Sequence, residues 1–227
     1  NIVAAIYGSA AVGLNVAVTQ HQGEAVAHLV NMEGKAKSTE VAAERINRAE
    51  QYANSAQITG SAGSGSVGVG FAYVDDISTT EATVKGTKLD HYSNNDGSDK
   101  VTASNTSHLI NEMAKGELAL SIGGGAGILV NVNNIENKTS ANVINSELGK
   151  TAHAQNAIVN AKNKFAAEFT QVAADAALGS VGVGVEITTV DSTVTANVLG
   201  SDISAQNLDV KAEEERSVDA TAVAASV

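Results

Sequence analysis

Hydrophobic and polar positions alternate with a period of two in four stretches of the chain. These are Val12-Gly13-Leu14-Asn15-Val16-Ala17-Val18, Val67-Gly68-Val69-Gly70-Phe71-Ala72-Tyr73, Ala126-Gly127-Ile128-Leu129-Val130-Asn131-Val132 and Val181-Gly182-Val183-Gly184-Val185-Glu186-Ile187. Period two with β-branched residues is the pattern of a strand. Each stretch is followed at a fixed distance by a second anchor: Ala27-His28-Leu29, Ala82-Thr83-Val84, Ala141-Asn142-Val143 and Ala196-Asn197-Val198. From Gly13 to Gly68, Gly127 and Gly182 the steps are 55, 59 and 55, and from Ala27 to Ala82, Ala141 and Ala196 they are again 55, 59 and 55. Two independent anchors with identical steps mark an internal repeat.

A third anchor, Val41-Ala42-Ala43, Val101-Thr102-Ala103, Val159-Asn160-Ala161 and Val210-Lys211-Ala212, stands 14, 19, 18 and 14 residues beyond the second. Length variation therefore falls after the second anchor, where a loop belongs. In the second repeat that stretch carries the turn formers Asp90 to Asp99. Parallel stacking of repeated strands predicts an all-β fold, a parallel β-helix (β-solenoid) of four repeats of roughly 55 residues. The repeats run roughly over 8–61, 62–120, 121–176 and 177–227, within one solenoid segment, 1–227, of a longer chain. So long a period predicts two or three coils per repeat and a rod of roughly 40–60 Å at about 4.8 Å per coil. A thin core of Ala, Val and Gly is expected, with no room for Phe, and Val183→Asp is expected to unfold its coil.

Glu33–Gln57 and Asn160–Leu178 are rich in helix formers and, read alone, are helical. The same register in the fourth repeat alternates through Val210, Ala212, Val218, Ala220 and Ala222, which favours strands throughout, with a charged turn near Glu213-Glu214-Glu215-Arg216.

Composition narrows the functional classes. With 14 Lys+Arg against 25 Asp+Glu the net charge is −11, which opposes nucleic-acid binding because phosphate contacts need clustered cations. Absence of Cys excludes disulfides, Cys-based zinc sites and thiol nucleophiles, and no apolar run is long enough to span a bilayer as a helix. Absence of Pro suits stacked strands, whose ladders need every N–H.

Candidate chemistry is sparse. Gly63-Ser64-Gly65-Ser66-Val67-Gly68 matches GxGxxG, but a strand pattern follows it where a nucleotide site needs a helix. The loop Asp90–Asp99 offers oxygen ligands at Asn94, Asp96 and Asp99, yet a calcium loop would need an acid where Tyr92 stands. A solvated loop is the plainer reading, and its residues Asp90, His91, Tyr92, Asn94, Asn95 and Asp96 are the partner-binding candidates. The five histidines form no metal or catalytic motif, and Asp75-Asp76 reads as a turn. Almost no aromatic residue is present to stack on sugars, against a polysaccharide-cleaving enzyme, and one Thr-x-Thr is too few for ice binding. No catalytic, cofactor or metal site is expected.

The block Gly179-Ser180-Val181-Gly182-Val183-Gly184-Val185, continued by Thr193-Val194-Thr195-Ala196-Asn197-Val198 and Leu208-Asp209-Val210-Lys211-Ala212-Glu213, resembles the repeats of large bacterial leukotoxin-type filamentous adhesins and exoproteins. The resemblance runs through the whole chain, best in the fourth repeat and loosest at Gly23-Glu24-Ala25-Val26-Ala27. It implies a secreted or surface-exposed parallel β-helix acting in adhesion or cytotoxicity. Partners would be neighbouring repeats or copies end to end, and a host-cell surface or matrix. A self-assembling extracellular fibre and a cytotoxin segment are the alternatives.

Overall fold

The computed structural model describes residues 11–60, 66–94, 97–120, 124–176 and 181–226. Among them the chain forms twelve strands and no helix, in a recurring long–short–long order. The order runs β1 (Ala11–Val30), β2 (Glu33–Lys35), β3 (Thr39–Gly60), β4 (Ser66–Lys85), β5 (Lys88–Asp90) and β6 (Ser98–Leu120), then β7 (Gly125–Ile144), β8 (Glu147–Leu148), β9 (Ala154–Ala176), β10 (Val181–Leu199), β11 (Asp202–Ile203) and β12 (Ala205–Ser226). Three four-stranded sheets result: sheet A in the order β1-β4-β7-β10, sheet B in the order β2-β5-β8-β11 and sheet C in the order β3-β6-β9-β12. Every pairing is parallel, an architecture consistent with a parallel β-helix.

All three sequence anchors fall in register. Gly13 pairs with Gly68, Gly68 with Gly127 and Gly127 with Gly182, and the Ala27, Ala82, Ala141 and Ala196 row does the same. Val41, Val101, Val159 and Val210 form the corresponding row of sheet C. Each 55–59-residue step thus supplies one strand to each sheet and makes one layer, in place of the two or three expected. The reason is strand length: the long strands run 19–23 residues, several times the usual five or six, and consume the whole period. Four layers are only ~14 Å deep, whereas a 20-residue strand reaches ~66 Å, so the stack is a slab and not a 40–60 Å rod.

The helix-forming segments lie in β2, β3 and β9, as far as they are described, because ladder pairing with neighbouring layers overrides weak local preference. Glu213–Arg216 likewise lies inside β12 and forms no turn. Glu213 and Glu215 stand opposite Lys162 and Lys164 of the next layer, and Lys164 Nζ reaches Glu215 at 3.1 Å. Asp75 and Asp76 are also mid-strand, in β4.

Sheets A and C face each other, and their inward rows make the core. Beside sheet B the rows are Val and Ala: Val41, Val101 and Val159, then Ala43, Ala103 and Ala161, against Ala82, Ala141, Val84 and Val143. Farther along lies a second cluster with Val74, Leu109, Ile135, Phe165 and Phe169. Two phenylalanines are therefore accommodated after all, Phe165 lying in register beside the small Ser107. Size is traded between layers elsewhere too. A Cβ at Gly70 would lie 2.5 Å from Leu129 Cδ2, so the glycine is what admits the leucine.

At the corner after sheet A, Asn31, Gly86, Asn145 and Gly200 follow the paired ends of the four strands, and all have positive φ (53°, 59°, 48° and 56°). The left-handed region suits Asn and Gly. Behind them, Thr87 and Ser146 hydroxyls accept from backbone N–H groups of the neighbouring layer at Met32 and Thr87, and Ser201 accepts from Ser146 at 3.0 Å.

Candidate functional site

The extra residues of the second layer follow β5, as the spacing of the anchors requires. The structure places Asp90 at the end of β5, where its carboxylate accepts from the Thr151 N–H at 2.9 Å, the Ala152 N–H at 3.0 Å and the Thr151 hydroxyl. These donors hold its carboxyl well below the usual carboxylate range, the Thr151 hydroxyl contributing most. Lys35 Nζ of the first layer lies 3.8 Å away, so Asp90 ties three layers together.

His91 is buried. Its Nδ1 meets the Ala36 carbonyl at 3.1 Å and its Nε2 meets Asp99 Oδ2 at 3.0 Å. A ring held at both nitrogens is a pin for the corner and leaves no nitrogen to present to a ligand. Tyr92 is 69% exposed, and Asn94, also exposed, accepts from the His153 N–H at 3.3 Å. Asn95 and Asp96 lie outside the described residues. Of the six candidates, Tyr92 and Asn94 are thus the described ones on the surface. The glycines of the GxGxxG stretch before Ser66 also lie outside the described residues, and the strand β4 follows.

A second cluster lies inside the slab, on the inward rows next to the Val/Ala core. Asp76 is fully buried and its Oδ1 stands 2.8 Å from His21 Nδ1. Arg45 Nη2 lies 3.3 Å from the same His nitrogen and 3.8 Å from Asp76 Oδ1. Burial pushes the Arg45 guanidinium down, and the Asp76 charge opposes that shift. Gly23 leaves the room the guanidinium occupies, since a Cβ there would collide with it.

From Arg45 a chain of side chains crosses all four layers. Its Nη1 donates to Asn105 Oδ1 at 3.2 Å, Asn105 Nδ2 donates to Asn163 Oδ1 at 2.9 Å, and Asn163 Nδ2 donates to Ser192 Oγ at 2.9 Å. Ser78 donates to Asn137. The His21 Nδ1 thus meets Asp76, Arg45 and, at 3.4 Å, the Asn47 amide. The arrangement pairs many of these buried polar atoms, each of which would cost about 1–3 kcal/mol if left unpaired, although Asp76 Oδ2 and Asn137 Nδ2 find no partner. It went unseen in the sequence because its residues differ from layer to layer: four residues after the third anchor stand Arg45, Asn105, Asn163 and Glu214.

The third feature is the outer face of sheet A. The Val and Ile of the first anchor point outward. The rows Leu14–Val69–Ile128–Val183, Val16–Phe71–Val130–Val185 and Val18–Tyr73–Val132–Ile187 lie side by side on that face. In the outermost layers Leu14 is 62% and Ile187 51% exposed. Inward, beneath them, lie Gly13, Gly68, Gly127 and Gly182, then Gly70, Leu129 and Gly184, then Ala17, Ala72, Asn131 and Glu186. Val183 is therefore a surface residue, and a charge there tests this face and not the interior.

Among the described residues no group of three or more His, Cys, Asp or Glu is placed to hold a metal ion, and no helix is long and apolar enough to cross a membrane. No family model, curated protein or solved structure matches the chain.

Proposed function

We propose that this chain is a structural and adhesive segment, a four-coil stretch of parallel β-helix in a filamentous protein of a bacterial surface or secretion, with no catalytic role. The observation that carries the reading is the uninterrupted in-register pairing of all three sheets, which ends on β1, β2 and β3 at one side and on β10, β11 and β12 at the other. Strands at a sheet edge present a row of unpaired N–H and C=O groups, a template for another strand in the same register. At the β10–β12 side a depression of about 520 Å³ lies beside Leu148, Val198, Ile203 and Leu208. Such a seat fits a neighbouring coil, or a further copy joined end to end. The repetition of one strand order through every layer favours a scaffold.

Adhesion would fall to the surface part of the inserted loop, Tyr92 and Asn94, which the buried His91 and the tied Asp90 hold in place. The test is electron microscopy of the purified chain, alone and mixed with host cells. Slabs that join along the stacking direction support the scaffold. Cell decoration lost when residues 92–96 are removed supports the adhesive role. Globular, helix-containing particles overturn both.

A further inference from the structure

We infer that the apolar outer half of sheet A is the seat of a second copy of this chain, packed sheet against sheet. The pairing is lateral, so it goes beyond the end-to-end stacking proposed above and does not depend on it.

The first ground is an inversion of the usual pattern. A sheet with one buried face puts its large apolar residues inward. Here the first halves of β1, β4, β7 and β10 turn mostly Gly and Ala inward, with Leu129 and Val74 the large apolar residues among the described inward ones, and set Leu, Val, Ile, Phe and Tyr outward. Residues that large gain nothing by facing water. The second ground is size. One outward residue of a sheet covers roughly 32 Å² (~4.8 Å between strands by ~6.7 Å along them), so the three rows named above, with Val67, Ala126 and Val181 of the row before them, cover ~480 Å². Two such faces together reach ~1,000 Å², about the threshold for a specific interface.

The third ground is shape. In-register parallel strands repeat β-branched side chains on a regular grid, and Val183, Val185 and Ile187 continue the grid of Ile128, Val130 and Val132 without offset. Such a ridged face is complementary to its own copy turned by a two-fold axis, with the sheets ~10 Å apart. The fourth is charge. The chain carries −11, yet these rows carry no charged residue, so a second copy meets no repulsion there. The next row, Gln20–Asp75–Asn134–Thr189, brings a carboxylate and no cation, and bounds the patch. A lipid surface would need the Lys/Arg flank that this row lacks.

Absence of native Cys makes the test clean. The whole chain is followed by sedimentation velocity and, as single-cysteine variants, by oxidation. At roughly 10 µM the wild type sediments as a dimer, and Val130→Glu weakens the association about 100-fold with unchanged circular dichroism, because the pair would bury an unpaired charge. Val183→Glu gives the same loss from a more exposed position, should Val130→Glu disturb the fold. Val130→Cys forms a disulfide-linked dimer, whereas Thr193→Cys, in the polar half of the same sheet, does not. A monomeric wild type, association that survives both charge variants, or equal cross-linking at the two cysteines overturns the inference. So does binding of the monomer to phosphatidylcholine vesicles that Val130→Glu abolishes.

Discussion

Two neighbouring stretches of one interior obey different rules. Beside sheet B the same residue recurs from layer to layer: Val41, Val101 and Val159 on sheet C, and Ala82 and Ala141 on sheet A. A few residues farther along, His21, Asp76, Ile135 and Val190 share one row and Arg45, Asn105, Asn163 and Glu214 another. An apolar row needs only matched volume, so identical layers stack. A polar row must set donor against acceptor, so each layer's residue is chosen by its neighbour's. The first stretch repeats because sameness is stable there; in the second an amide can repeat, as Asn105 donates to Asn163, whereas stacked copies of Asp76 or Arg45 would set like charges face to face.

The sharpest way to break that contrast is to put a charge into the uniform stretch. Val143→Asp, at a fully buried position between Val84 and Val198, should cost about 5 kcal/mol and abolish the cooperative urea transition. In the polar band, Asp76→Asn keeps the size but leaves Arg45 without its counter-charge. The expected loss is about 3 kcal/mol in urea denaturation, and a neutral effect would mean that Arg45 does not depend on the Asp76 charge.

The smallest effect should be a gain. Burial pushes the Glu186 carboxyl up, so its ionised form opposes folding. Glu186→Gln should stabilise the chain by up to about 1 kcal/mol at pH 7. Since the folded carboxyl is raised above its unfolded value, the wild type recovers that difference as pH falls through the folded pKa. Thermal melts of the two proteins should therefore converge below about pH 4, near the unfolded value. A constant gap between them would locate the effect elsewhere than in the titration of Glu186.

The same contrast explains what could be read from the sequence. Rows of like residues leave a periodic trace, so the three anchors, their steps and the extended loop were all legible, and the strand reading of Glu33–Gln57 followed from them. The buried His21–Asp76–Arg45 cluster left none, because its partners sit 55, 24 and 31 residues apart and share no pattern. Sidedness was also hidden. Alternation along Val12, Leu14, Val16 and Val18 shows that two faces differ, but not which of them meets the other sheet. The layer count failed for a plainer reason, since strands of 20 residues are far from the ordinary length. Of the loop candidates, Tyr92 and Asn94 lie where a surface loop predicts, whereas His91 required knowledge of Ala36 and Asp99.

The corner of left-handed residues carries a parity. Asn31 sits above Gly86 and Asn145 above Gly200, and a side chain in place of either glycine would strike the asparagine amide, at 2.6 Å in the second case. Odd layers bring the amide and even layers the vacancy. Excising the second layer would set Asn31 against Asn145, two side chains claiming one space, whereas excising the second and third together sets Asn31 against Gly200 and restores the match. At this corner the unit in which such a chain lengthens or shortens is the doublet.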